Sequence, residues 1–474
     1  MTWQTEARRE ALLRWAPPAA ACLFLLAFYW RGLDCWFYQD DFGWLHLGPA
    51  RGFGDFLHIV FAPKAHGNMR PWSENLFFYG LKALFGVNPL PFRIMVFATM
   101  CGSLFLLDAI VRRLTSSPAA ALAAQFCWLA NPAVAAVLCW TCIYNQAQYV
   151  FFLLLALWLL MQGRWAAQAV VFTLGLGSLE LMVMYPAVAT LWALLYRREA
   201  LRRTVPLFGI SAAFTALHFA VAPAPATGPY ALQWSPRIFE ALANYTRMAL
   251  GPERLMHFLW NWPQWLLPAG TALMAVLAIL ALCTGRRAAV LGAGIYLLLL
   301  APVLPLPDHI MDYLLFGSSL GLAVVLASGL AGRWRRAAAA LCACYLAVCL
   351  PASWKVMTWN YERSHVSRDL VLGVVEFQRA HPNQTLLLTG MDTDQFLAGF
   401  ADLPFELYGM MNVRLAPGAE RNIHDAAGIA PLYVLKPERA LPLLGSGRGA
   451  VLDVTGGKVR DVTAEYLAGL RISK

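Results

Sequence analysis

Just after its first long apolar run the chain reads Tyr38-Gln39-Asp40-Asp41-Phe42-Gly43-Trp44. Two adjacent carboxyls at the edge of a low-dielectric segment repel each other. One of them can then accept a proton while the other orients the reacting group or binds a cation. The alternative role is that of an N-cap for the helix that follows, which Asp fills well. Further on, His66-Gly67-Asn68-Met69-Arg70-Pro71-Trp72 sets an imidazole and a guanidinium beside a Pro turn. Arg suits bidentate recognition of phosphate, although a loop Arg can also simply snorkel to water. Glu180, in Ser178-Leu179-Glu180-Leu181, lies between two apolar runs, where a carboxylate is costly and usually functional. Asp308-His309-Ile310-Met311-Asp312-Tyr313 offers a second imidazole, either for a head group or as a wet loop residue.

The elements that must position these groups are membrane helices. Of 474 residues, 59% are hydrophobic and 14% charged, which excludes an ordinary soluble enzyme. Apolar runs at 12–30, 92–111, 119–138, 147–161, 165–178, 181–196, 205–221, 265–283, 288–304, 313–330 and 337–350 predict about eleven spans. Basic clusters at Arg8-Arg9, Arg112-Arg113, Arg164, Arg197-Arg198 with Arg202-Arg203, Arg286-Arg287, and Arg333 with Arg335-Arg336 fall at every second loop. By the positive-inside rule this predicts a cytoplasmic N-terminus and an extracytoplasmic C-terminus. The net charge of +10 is thereby assigned to cytoplasmic loops rather than to a nucleic-acid partner.

The expected organisation is an all-α polytopic transmembrane domain over residues 1–351, with a long first outward loop at 31–91. A small α/β extracytoplasmic domain follows over 352–474, where charges return and the short runs Thr385 to Leu388, Leu432 to Leu435 and Val451 to Val454 alternate with turn residues. The outward loop is expected to hold an amphipathic helix near Phe42 to Val60 and an interfacial stretch from Leu76 to Phe85. Cys139 and Cys142 form a CxxC without a second pair, most other cysteines lie inside apolar runs, and no metal site is assigned. Asp108 is four residues from Arg112, an ordinary intrahelical pair.

Taken together, the Asp-Asp of the first loop, Arg70-Pro71 ahead of an apolar stretch ending Leu84-Phe85-Gly86-Val87-Asn88-Pro89, an acid shortly before Pro186, and the link from Leu304-Pro305 to Tyr313-Leu314 resemble the GT-C superfamily. The likeness is to its protein O-mannosyltransferase-like branch, integral membrane glycosyltransferases that take sugar from a polyprenyl-phosphate carrier. The resemblance covers roughly residues 31–330. It implies Asp40 as general base on an acceptor hydroxyl, Asp41 orienting the acceptor, and Arg70 facing the lipid phosphate, with His66, Glu180 and His309 as further substrate or phosphate contacts. Two positions depart from the pattern: Leu179 replaces a Lys, and Met311-Asp312 replaces an Arg, so His309 or Arg70 would carry the phosphate.

The implied partners are a polyprenyl-phosphate sugar donor, a hydroxyl acceptor on protein, lipid or glycan, and membrane lipids. No cofactor is assigned, and a divalent cation is compatible with the acids. The implied place is the outer side of a bacterial cytoplasmic membrane. No P-loop or dinucleotide fingerprint argues for a nucleotide-sugar donor. Other readings are a lipid or glycan transporter or flippase, which would place charges along a path within inverted repeats, another lipid-linked glycan enzyme such as a ligase or polymerase, and a non-catalytic GT-C relative.

Overall fold

Apolar segments in hydrocarbon must satisfy their backbone internally, and here they do so as helices. The computed structural model describes residues 2–63, 68–223, 225–251, 266–424, 426 and 428–472. Among these, five helices are long and apolar enough to cross a membrane: Pro89–Thr115, Thr141–Met161, Arg198–Val221, Asp312–Ala331 and Arg335–Ala380. The pair Pro118–Ala130 and Pro132–Cys139, bent by 65°, supplies a sixth candidate. Shorter apolar helices cover Trp15–Phe28, Trp165–Leu176, Glu180–Tyr196 and Arg287–Val303. The chain is therefore membrane-embedded, with fewer full-length crossings than the eleven expected.

Three departures have evident causes. The expected third span breaks at Asn131-Pro132, because Pro132 has no N–H to donate and drives the residue before it out of the helical region. Asn131 is extended there (ψ 132°) and caps the second half by accepting from the Ala133 amide at 3.0 Å. Its amide also donates to the Tyr345 hydroxyl at 2.8 Å, so the break leaves that buried side chain satisfied. The turn expected at Arg286-Arg287 does not form. Leu266–Leu300 is one 35-residue helix, with no Pro after Pro268 to stop a run rich in Ala and Leu. The expected amphipathic helix is instead two short ones, Asp41–Leu45 and Phe53–Phe61, separated by Gly48, Pro49 and Gly52.

The chain divides into two units. The first comprises the residues up to Leu33, Pro49–Gly80 and Leu90–Thr358. Its closest helix packing joins Leu266–Leu300 to Leu315–Ser328, where small residues let backbones approach. A Cβ on Gly292 would stand 2.7 Å from the Gly321 carbonyl oxygen, and one on Gly321 would stand 2.5 Å from the Tyr296 amide nitrogen.

The second unit comprises Asp34–Gly48, Leu81–Pro89 and the chain from Trp359 onward. It contains a four-stranded sheet of β1 (Thr385–Thr389), β2 (Val413–Leu415), β3 (Gly449–Asp453) and β4 (Arg460–Asp461), in the order β2-β1-β3-β4. β1 runs parallel to both neighbours, with Leu387 opposite Arg414 and Val451, while β3 and β4 are antiparallel. Leu386, Leu387 and Leu388 of the central strand are all fully buried, as a continuous apolar run in a two-sided parallel sheet requires. The run Leu432 to Leu435 makes only a single bridge, Val434 to Leu415. Helix Thr393–Gly399 follows β1 and opens with a capping box between Asp392 and Gln395.

Replacing Gly321 by Val should force Leu266–Leu300 and Leu315–Ser328 apart, at a cost of about 1–3 kcal/mol. Thermal unfolding of the purified protein in detergent checks this, and an unchanged Tm would contradict the close packing.

Candidate functional site

One cluster of charge in the first unit forms around Arg70. Pro71 begins a π-helical turn, Pro71–Leu76, that fastens to the 177–178 turn. The Trp72 amide donates to the Gly177 carbonyl at 3.2 Å and the Ser73 hydroxyl to the Ser178 carbonyl at 2.6 Å. A Cβ at residue 177 would lie 2.5 Å from Trp72 Nε1, so any larger residue there has to displace the indole. Ser178 in turn donates to Gln148 Oε1 at 2.8 Å. Two residues beyond Ser178, Glu180 starts the turn Glu180–Met184 that separates helices Trp165–Leu176 and Tyr185–Tyr196. It therefore sits at a connection between helices, not in mid-span.

These ties deliver Arg70 between two carboxylates. Arg70 Nε donates to Glu180 Oε1 and Oε2 at 3.0 and 2.9 Å, and a terminal nitrogen lies 2.9 Å from Oε2. The other terminal nitrogen donates to Glu74 Oε1 at 2.5 Å, which also accepts from Asn145 Nδ2 at 2.8 Å. Burial alone would weaken the guanidinium's hold on its proton, but Glu180 and Glu74 raise it above its usual range. Burial pushes the Glu74 carboxyl upward against the pull of Arg70 and Asn145. One cation thus serves two acids, so any anion arriving here would compete with both of them for Arg70.

The second unit holds the acids of the first loop. The Trp36 amide donates to Ser364 Oγ at 3.2 Å and the Tyr38 hydroxyl to Asn360 Oδ1 at 2.5 Å. The Gln39 amide donates to the Ala398 carbonyl at 2.8 Å. Gln39 takes a left-handed conformation, φ 55°, which turns the chain sharply into Asp40. Asp41 is fully buried and accepts the Tyr38 amide at 3.2 Å, so its carboxylate helps to hold the turn. Asp40 stands at the N-cap position of Asp41–Leu45, yet its side chain makes no capping bond. Its side chain reaches solvent, while the protein packed around it pushes its carboxyl above the ordinary range. Lys82 steadies the far end of that short helix, donating to the Leu45 and Leu47 carbonyls.

His309 belongs to a third cluster, in the first unit. Its Nε2 lies 3.3 Å from the Tyr313 hydroxyl, its carbonyl accepts from Tyr245 at 3.4 Å, and its ring packs on Tyr230. Burial lowers its pKa, which disfavours the charged form of the ring. His66 lies outside the described residues.

Of the residues singled out in the sequence, Arg70 and Glu180 are brought into direct contact, and Asp40 and Asp41 share one turn. Sequence reasoning missed Glu74 and Asn145. Glu74 carried a signal, because it follows Arg70 by four residues, and so did Asn145, a polar residue at the head of an apolar helix. Among the described residues no three His, Cys, Asp or Glu side chains are grouped to hold a metal ion.

Replacing Arg70 by Ala would strand two carboxylates and should destabilise the protein by about 3 kcal/mol. Adding Glu180→Gln should recover part of that loss. Thermal unfolding of the single and double variants reads both effects, and a double variant no more stable than Arg70→Ala would contradict the pairing.

No protein-family model matches the chain, and no curated protein matches it in sequence. Two crystal structures of ArnT from Cupriavidus metallidurans align with 92% of this chain and 92% of their own length at 14% identity. The structure bound to undecaprenyl phosphate gives a TM-score of 0.39 and the apo structure 0.35. A likeness of that extent leaves the function to be argued from the chain's own residues.

Proposed function

We propose that this protein is a GT-C-like membrane glycosyltransferase, of the O-mannosyltransferase-like kind, that moves a sugar from a polyprenyl-phosphate carrier to a hydroxyl acceptor. The observation that carries the reading is Asp40. It is a carboxyl next to a left-handed turn, reachable from solvent, raised above its ordinary range, and unused by the helix that it precedes. It stands in the first loop after an apolar helix, where the sequence motifs place the base of such enzymes.

The chemistry follows from the groups available. A sugar joined to a phosphate diester already has a good leaving group, so the enzyme must take the acceptor proton and stabilise the departing phosphate. Asp40 takes the proton as the acceptor oxygen attacks the anomeric carbon, and the C–O bond to phosphate breaks from the opposite face. A single displacement of this kind inverts the anomeric centre. Asp41 keeps the turn rigid from beneath. Within the first unit, Arg70 is the cation available to a phosphate, at the expense of part of its contact with Glu74. In this reading the site lies on the outer side of the cytoplasmic membrane, with the basic clusters other than Arg286-Arg287 on the inner side.

Replacing Asp40 by Asn keeps the shape and removes the base, so transfer should fall about 10²–10⁴-fold. Cells lacking the protein are complemented with either form, and the surface glycan is measured together with the amount of protein in the membrane. Normal glycan with Asp40→Asn would remove Asp40 as the base.

A further inference from the structure

Within the second unit, the start of the first loop forms a strap, Cys35 to Tyr38, that is buried along its whole length against helix Arg335–Ala380. The Tyr38 hydroxyl bonds Asn360, and the Trp36 amide donates to Ser364 Oγ at 3.2 Å. Just before the strap stands the exposed carboxyl of Asp34. Its Oδ2 accepts the Tyr361 hydroxyl at 3.2 Å and lies 3.5 Å from His365 Nε2. The imidazole is mostly covered, its ring packed on that of Tyr361 with 4.1 Å between centroids. Asn360 with Ser364, and Tyr361 with His365, are each four residues apart, so the four side chains share one edge of the helix.

The hydrogen bonds around the ring decide which nitrogen carries the hydrogen. Nδ1 lies 2.9 Å from the Tyr361 carbonyl, which can only accept, so a neutral ring keeps its hydrogen there. Ser364 Oγ, 3.3 Å from the same nitrogen, gives its own hydrogen to the Tyr361 carbonyl at 2.8 Å. In the neutral ring Nε2 is then bare, and its lone pair faces the Asp34 carboxylate. A proton added at Nε2 turns that repulsion into a charge-assisted hydrogen bond. We propose that His365 is a proton-operated latch, fastening the first-loop strap to helix Arg335–Ala380 through Asp34. Imidazole takes up its proton within the physiological pH range, so the latch closes on the acid side and opens as pH rises through the titration of the ring. The other charged groups near His365 on its helix are engaged elsewhere or turned to water: Arg363 pairs with Asp394, Arg368 with Asp369, and Glu362 is exposed. The strap brings no further charge, since none lies between Asp34 and Asp40. The Tyr361 hydroxyl is a second tie to Asp34 that does not need the proton, so the strap loosens without detaching. The latch is independent of any role of Asp40 in a reaction.

The test follows the strap by amide hydrogen exchange of the full-length protein in detergent, from about pH 5.5 to about pH 8, with protection referred to the unstructured rate at each pH. Protection of the peptide spanning the strap should fall about threefold across that range, the scale of a partly exposed ion pair. Its midpoint should coincide with that of His365, read from hydrogen exchange at the ring carbon between the two nitrogens. His365→Gln and Asp34→Asn should each abolish the step, and the double variant should do no more than either alone. Tyr361→Phe should lower protection at every pH and leave the step in place. Asp34 and His365 both reach solvent, so neither change asks a sealed core to refill. A step that survives in His365→Gln or in Asp34→Asn overturns the proposal, as does a native profile that stays flat through the titration of His365.

Discussion

Charge that cannot be left unpaired in a low-dielectric chain organises this structure. In the first unit the demand falls on Arg70, which bonds Glu74 through one arm and Glu180 through the other. The arrangement dictates the local chain around it: the π-helical turn at Pro71–Leu76, the close approach of Trp72 to Gly177, and the break before Glu180–Met184 all serve to bring three charges together. With one cation to two acids the cluster keeps a negative balance, and burial makes Glu74 the member readiest to hold a proton.

The second unit solves a different problem. A parallel strand buried on both faces anchors the sheet, and the last turn of helix Thr393–Gly399 accepts the Gln39 amide of the Asp40 turn. Here no guanidinium pairs with Asp40, and the protein packed around it raises its carboxyl above the ordinary range. The two clusters therefore offer complementary properties: a cation already shared between acids in one unit, and carboxyls made more basic in the other.

Much of this was legible in the residues. The scarcity of charge, the long apolar runs and the unusual Asp40-Asp41 pair pointed to a membrane chain with an acid-bearing first loop. Arg70 and Glu180 stood out because each was expensive where it lay. Other features depended on information that periodicity does not carry. The apolar run at 119–138 hid a break whose only sign was the Asn131-Pro132 dipeptide. Arg286-Arg287 looked like a loop because charge usually ends a span, yet the flanking residues favour helix and the backbone runs through.

The central claim is that a lipid-linked sugar is the donor. It is tested most directly by extracting membrane lipids from cells with and without this protein and measuring polyprenyl-phosphate-linked sugars by mass spectrometry. The account predicts that one such species accumulates when the protein is absent and returns to its normal level on complementation. An unchanged pool of every polyprenyl-phosphate sugar would contradict it.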